Sequence, residues 1–516
     1  MKDVIFGAHI LEILTTGMYQ DSKVIYREYI QNSSDQIDKA IRDGILKQGE
    51  GSIKIWLDRE KRTIAIEDNA TGISAEEFQS TLLNIADSDK KIGENKGFRG
   101  IGRLCGLAYC KQLVITSSSK GENIVSILVC DAQKMRRFID EHARGKKHTA
   151  NEVLQSICRF EQKEEKNIDS HFFKVDLIDI NSENTDLLDF QQVKDYLSFV
   201  APAPYQSSFN YRKKIYKHAN DLGTIIDEYN ITLNGEPIFK KYTTVLKDVT
   251  DTKYDEIFDV HFKDFFDADD RLFAWMWVGL SQFKKAIPPK NNPMRGLRLR
   301  KENIQIGGED SLQKLFKESR GNSYFVGEVF AVDKGLIPNS QRDYFNENRA
   351  RIDFERELKK YFNEELQKVY YAGSEINSAY RKIDSFEKKE TDFKAKDANS
   401  TFIDSAHRKH ELKSVQDSEK EAEAAQIKIE KAKGKADSLT QRVISQIEAE
   451  RAKSVAKSVS PKSKALESAK LSRQRDKLSK YSKNERNLIS KIFRIISAAV
   501  DAETADKITK KIEEEL

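Results

Sequence analysis

The chain has 516 residues, of which 38% are hydrophobic and 33% charged, and a formal net charge of +5. That length is more than one hydrophobic core serves, so about two to four domains are expected. The charged fraction exceeds the usual quarter, which assigns part of the chain to solvated helix or disordered segment. No apolar run approaches the roughly 18 residues of a membrane-spanning helix. The opening Met1-Lys2-Asp3-Val4 leads into an amphipathic pattern without a secretory h-region, so the expectation is a soluble cytoplasmic protein with no membrane partner. Cys105, Cys110, Cys130 and Cys158 form no Cys-x-x-Cys pair and have no His partner at metal spacing, so they read as buried free thiols.

In chain order, Ile10 to Ile41 carries apolar residues at helical spacing. Period-two runs follow at Ile53–Leu57 and Thr63–Ile66, then at Leu113–Ile115, Ile124–Val129 and Phe172–Leu177. An antiparallel sheet with helices on one face fits this order and gives a first α+β domain over residues 1–205. The polar stretch 206–225 reads as a linker. A second α+β domain over 226–374 opens on a hairpin with the Asn234-Gly235 turn that primed β-turns demand. Strands at Leu272–Val278, Leu297–Arg300 and Tyr324–Phe330 follow, closed by a helix from about Arg351 to Val369.

From 375 to 480 Lys, Glu, Ala, Ser and Gln dominate, the signature of long charged helices or a coiled coil with some disorder around Ser454–Ser463. Residues 481–516 carry Leu488, Ile489, Ile492, Phe493, Ile495 and Ile496, then a helix capped by Asp501, and read as a small self-associating helical hairpin. Residues 451–500 hold 14 Lys or Arg against 3 Asp or Glu, a local net of +11. That density suits non-specific contact with a nucleic acid backbone, because aromatics for base stacking are almost absent. A solvated basic coiled coil explains it equally well.

Three constellations carry chemistry. Glu28 and Asn32 lie four residues apart on a predicted helix and project from one face, where a carboxylate can take a proton from water and an amide oxygen can hold magnesium. Asp68, at the end of a strand and followed by Asn69-Ala70-Thr71-Gly72, suits recognition of an adenine amino group. Gly97, Gly100 and Gly102 form Gly-x-x-Gly-x-Gly, which lets the backbone approach phosphate closely. This is neither the dinucleotide-binding fingerprint nor a Walker element.

In this order and at this spacing, the three resemble the N, G1 and G2 boxes of the GHKL superfamily, the gyrase, heat-shock chaperone and histidine-kinase ATPases of the Bergerat fold. Met18-Tyr19, Arg27-Glu28, Asn32-Ser33-Ser34-Asp35 and Asp38-Lys39 look most like the ninety-kilodalton heat-shock chaperones, bacterial HtpG included. The resemblance implies a Bergerat-type α/β sandwich followed by a transducer or middle domain. It implies Mg-ATP as cofactor, with Glu28 activating the attacking water and Asn32 ligating magnesium. Asn32, Asp35, Asp68, Gly72, Gly97, Gly100 and Gly102 would line the nucleotide.

Gly327–Phe330 and Leu336–Arg342 resemble the chaperone middle-domain loop, in which an arginine reaches the γ-phosphate, although the Pro338–Arg342 spacing is one residue shorter. Arg342 is one candidate for that cation; Lys301, by likeness to transducer lysines, is another. Ala70 replaces the middle glycine of the second box, and Ser170-His171 stand where the family has Gly-Thr, which removes a hydroxyl near the adenine. Two activities fit this layout. One is a chaperone-like ATPase whose homodimer closes on ATP to act on a protein client. The other resembles the MORC proteins, an ATP-dependent clamp that meets nucleic acid through its basic C-terminal region. Glu28 argues against a switch that binds ATP without hydrolysing it, and a histidine kinase would place its ATPase after a helical phosphoacceptor dimer.

Overall fold

The computed structural model describes residues 6–13, 15, 21–84, 102–399, 401–458 and 481–516. The chain divides into two compact units, residues 1–280 with 287–362, and residues 281–286 with 363–516.

The first unit is built on helix α1 (Val24–Arg42) and an eight-stranded sheet. Its strands are β1 (Ser52–Asp58), β2 (Thr63–Asp68), β3 (Cys110–Ser118), β4 (Ile124–Asp131), β5 (Cys158–Glu164), β6 (Phe172–Ile180), β7 (Asn230–Leu233) and β8 (Glu236–Pro237). They lie in the order β5-β4-β3-β6-β2-β1-β7-β8. All neighbours are antiparallel except β1 and β7. Alternation does the sorting: Ile53 and Ile55 of β1 and Ile64 and Ile66 of β2 turn to one buried face. Asp68 has the same parity as Ile64 and Ile66, and it too is buried. Helix α1 is enclosed on nearly every side, with Arg27, Glu28, Gln31 and Asp35 buried beside Ile25, Tyr26, Tyr29 and Ile30. A purely structural helix would keep such charges outside.

Residues 206–225, expected as a linker, contain the helix Arg212–Asp221, whose Ile215 and Ala219 are buried. Two buried residues in a ten-residue charged helix were enough to seat it on an aromatic core, a pattern too sparse to read as amphipathic. The hairpin on Asn234-Gly235 forms, with both residues at positive φ (48° and 84°). Its first strand also pairs in parallel with β1, so the hairpin extends the first sheet.

The same unit continues through a small pair, β9 (Val245–Lys247) and β10 (Lys253–Glu256), to a second, five-stranded sheet. That sheet holds β11 (Asp259–Phe266), β12 (Leu272–Leu280), β13 (Gly296–Lys301), β14 (Ile304–Ile306) and β15 (Val326–Ala331), in the order β11-β12-β15-β13-β14. A fully buried ionic joint binds this sheet to the segment that leaves the first. Glu328 of β15 accepts from Arg300 Nε, from the Tyr205 hydroxyl, from Tyr242 Oη at 3.0 Å and from Lys240 Nζ at 3.2 Å. Arg300 also donates to the Phe199 carbonyl at 2.7 Å, and Lys240 to Asn303 Oδ1 at 2.6 Å. Burial alone would raise the Glu328 carboxyl, but Arg300 and Lys240 outweigh it and hold it at about 2. Burial, then Arg300, pushes the Lys240 amine down to about 7 against the pull of Glu328.

The second unit is helical: α2 (Gln367–Ala398), α3 (Ser405–Gly434), α4 (Ser438–Ser458), α5 (Lys483–Ala499) and α6 (Ala502–Glu515). Ala379 of α2 packs with Ala425 and Ile429 of α3, the two alanines being small enough to let two charged helices approach. Helix α2 runs unbroken across residues 374 and 375, because no Pro interrupts it and Gly373 fits where a side chain would press on the Gln282 carbonyl, at 2.8 Å. The terminal pair α5 and α6 forms, with Ile489 and Phe493 buried against Ile403. The basic stretch at 459–480, at the centre of the charge excess, lies outside the described residues, as do Gly97 and Gly100.

Removing the hub of a fully buried ionic cluster leaves its partners uncompensated. Glu328→Ala is expected to lower stability by about 3–5 kcal/mol, read as a fall in the urea midpoint of the full-length chain with unchanged slope.

Candidate active site

The site begins on α1. Glu28 Oε1 lies 3.4 Å from Arg342 Nε and 3.7 Å from Arg27 Nε, all three side chains being buried. Those are ion-pair distances beyond hydrogen-bond reach, and Oε1 accepts no hydrogen bond among the described residues. The carboxylate is charge-balanced but keeps a lone pair to give. Arg27 donates to the Gln341 carbonyl at 3.0 Å and reaches the Arg342 carbonyl at 3.5 Å. It thereby ties α1 to the second-sheet loop that carries Arg342. Arg342 stands at φ 54°, a left-handed conformation that an arginine adopts only under constraint, and the Gly307 amide holds its carbonyl at 2.8 Å.

The turn that follows the glycine-rich stretch closes on the same carboxylate. Gly102 opens a 3₁₀ turn, Gly102–Ala108, and a Cβ there would lie 2.8 Å from Glu28 Oε2. The Tyr29 hydroxyl donates to the Arg103 carbonyl and accepts from the Gly106 amide, both at 3.2 Å. Successive residues of α1 thus place the carboxylate and anchor the turn against it. Asn32, half-buried, sits one turn further along α1, and Asp35 is buried beyond it.

Asp68 ends β2 on the inward face. It accepts from the Ala70 amide at 3.1 Å and from the Ser33 hydroxyl. Burial raises its carboxyl to about 7, opposed by these two hydrogen bonds. The loop beyond is fixed by Gly72 at φ 66°, where a Cβ would stand 1.8 Å from the Ser118 carbonyl, so no other residue fits. Ala70, in contrast, is accommodated with no exposure at all. Ser117 Oγ accepts from the Ile73 amide and donates to the Phe172 carbonyl, both at 2.8 Å. His171 Nδ1 lies 2.6 Å from the Ala70 carbonyl.

The structure therefore brings Glu28, Gly102 and Arg342 together, and holds Asp68 and Gly72 in one loop. It does not bring Lys301 to Glu28: that amine, buried on β13, donates to the carbonyls of Asp333 at 2.7 Å and Val332 at 3.3 Å. Arg27, Tyr29 and Ser33 are site-forming residues that the sequence patterns left without a role. Their signal was proximity, since each adjoins a box residue on the helix. No group of three or more His, Cys, Asp or Glu suited to a metal occurs among the described residues. No helix among them is long and apolar enough to cross a membrane.

An open carboxylate one turn from an amide on a buried helix, a buried aspartate at the end of the next hairpin, and a glycine turn against the first are the features expected of a GHKL-type site. Residues 20–161, a little over a quarter of the chain, match the family model described as Histidine kinase-, DNA gyrase B-, and HSP90-like ATPase. Among curated proteins it is similar to the Chaperone protein HtpG of Coxiella burnetii, 39% identical over 85 residues, which is 15% of this chain and 13% of the relative. The HtpG of Geobacter metallireducens is 35% identical over 88 residues, 16% and 14% of the two chains. That of Methylibium petroleiphilum is 28% identical over 130 residues, 22% and 21% of them. The matched segments thus span at most about a fifth of these relatives.

A group whose carboxyl is raised on folding favours the folded state at low pH, below its ordinary value near 4, and loses that contribution as pH climbs to about 7. Thermal stability of the nucleotide-free protein should therefore fall between about pH 4 and pH 7. The Asp68→Asn variant should lose that part of the slope, while its melting point at pH 7 stays level or rises.

Proposed function

We propose that this chain binds and hydrolyses Mg-ATP and couples the cycle to closure of a homodimer that acts on a protein client in the manner of a chaperone. The observation that carries the reading is the convergence of Arg342, from the second sheet, on the Glu28 carboxylate of α1, at 3.4 Å. A base with a free lone pair and a cation delivered by a different sheet are the two groups that water attack on a terminal phosphate requires.

In this reading Glu28 accepts the proton of the attacking water as its oxygen bonds to the γ-phosphorus. Arg342 balances charge on the γ-phosphoryl oxygens as the bond to the leaving ADP breaks. Asp68 accepts from the adenine amino group, Asp35 and Gly72 shape the pocket around the base, and the 97–102 glycines cover the phosphates. Asn32 offers one hard oxygen, which suits an ion that takes few protein ligands and completes its shell with phosphate and water. When bound, magnesium supplies positive charge that neutralises the phosphates. Lys301, engaged with two backbone carbonyls, fits a structural role in β13 better than a reach to phosphate.

The test is nucleotide binding and turnover of the full chain, with Glu28→Ala and Arg342→Ala beside it. Glu28→Ala should bind ATP as the unaltered protein does and lose at least about 10²-fold in turnover. Arg342→Ala should lose about tenfold or more in turnover with little change in binding. Unchanged hydrolysis in Glu28→Ala would remove the assigned base. Adding double-stranded DNA across a salt series sorts the two activities: steep, salt-sensitive stimulation points to the MORC-like clamp, whereas suppression of client aggregation without it points to the chaperone.

A further inference from the structure

Two of the four cysteines meet across the outer rung of the first sheet. Cys130 ends the paired part of β4, Cys158 opens β5, and they are direct register partners. The Glu165 amide donates to the Asn123 carbonyl at 2.8 Å, one step beyond the Ile124–Glu164 pair, so that rung is hydrogen-bonded. Rungs alternate, and the register between is continuous, which makes Cys130–Cys158 a non-hydrogen-bonded pair. In that geometry the two Cα atoms approach to about 4.5 Å with side chains on one face, within the span a disulfide requires. The sulfurs lie 2.8 Å apart. Cys130 is fully buried, whereas Cys158 is half-buried and open to a small oxidant.

We propose that Cys130 and Cys158 are a site of reversible disulfide formation, with a peroxide as the oxidant. The Cys158 sulfur attacks the peroxide O–O bond and becomes a sulfenic acid, releasing water. The Cys130 sulfur then displaces hydroxide from it, and the Cys130 thiol proton leaves with that hydroxide as a second water. Two thiols are oxidised and one hydrogen peroxide is reduced to water. The bond cross-links β5, whose only strand partner among the described residues is β4, to the interior of the sheet.

The full-length chain is treated with hydrogen peroxide, its free thiols are blocked, and peptides are mapped by mass. The expected result is loss of two of the four thiols, one peptide pair joined through Cys130 and Cys158, and full reversal by a dithiol reductant. Sulfinic acid on Cys158 with Cys130 still free, any other pairing, or four intact thiols would overturn the proposal.

A second, independent contact lies in the base-reading loop, and its interpretation rests on the function proposed above. A carbonyl oxygen only accepts, so the 2.6 Å contact from His171 to the Ala70 carbonyl requires the proton on Nδ1. The Ala70 amide in turn donates to Asp68 Oδ1 at 3.1 Å. One residue, Ala70, therefore connects the imidazole, through its carbonyl, to the carboxylate, through its amide. We infer that His171 is a positioning residue that sets base discrimination by fixing Ala70 through its carbonyl, and so the Ala70 amide against Asp68.

Asn presents its amide nitrogen where His presents Nδ1, so His171→Asn keeps the donor and His171→Ala removes it. Binding of ATP is compared with binding of inosine triphosphate, which carries a carbonyl in place of the adenine amino group, and melting curves report the fold. His171→Ala should lose about tenfold in its preference for ATP, about 1.4 kcal/mol, while His171→Asn retains it at an unchanged melting point. A His171→Ala protein that discriminates as well as the unaltered chain overturns the role of His171 alone. An unaltered chain that binds both nucleotides equally overturns the base-reading role of Asp68, and this inference with it.

Discussion

Burying a carboxylate is the constraint around which the first unit is organised. Glu28 sits inside a helix that is enclosed on almost every side, where an isolated charge is costly unless it is paired. Two arginines supply the balance. One, Arg27, is its neighbour in sequence; the other, Arg342, arrives from a loop more than three hundred residues away. The pairing is deliberately incomplete in geometry, since the guanidinium groups stand at 3.4 and 3.7 Å and leave Oε1 without a hydrogen bond among the described residues. A carboxylate fully bonded to both would be better stabilised and a poorer base.

The position of Arg342 depends on a second buried charge cluster. Glu328, Arg300 and Lys240 lock β13 and β15 to the segment around Phe199 and Tyr205 that leaves the first sheet. Because every member is buried and bonded, sliding one sheet against the other would leave a buried charge uncompensated. The loop that follows β15 then inherits a defined origin, and Arg27 captures its far end through the Gln341 carbonyl. A buried ionic cluster at one end and an arginine-to-carbonyl hydrogen bond at the other thus fix the reach of a single arginine.

Much of this was legible in the sequence where the signal is local. Asp68 could be placed inward because it keeps the parity of Ile64 and Ile66, and the Asn234-Gly235 turn follows from two residues that tolerate positive φ. Glu28 and Asn32 needed only helical spacing. What escaped was either non-periodic or non-local. The strand Cys158–Glu164 is half-exposed on both faces and shows no alternation to read. That Arg342 lies beside Glu28 while Lys301 meets the Val332 and Asp333 carbonyls is a matter of tertiary placement. The bond from His171 to Ala70 joins residues a hundred positions apart that no spacing rule connects.

The hairpin of β7 and β8 has a consequence for where the first sheet ends. By pairing in parallel with β1, and with Asn234 bonding both the Leu57 amide and its carbonyl, it covers hydrogen-bonding groups that would otherwise face outward. A fragment cut at residue 205 would expose β1 as a bare margin bearing Trp56, a template for any passing strand. The first sheet is thus closed by residues that come after the boundary its motifs suggest, in a hairpin that touches none of the candidate site.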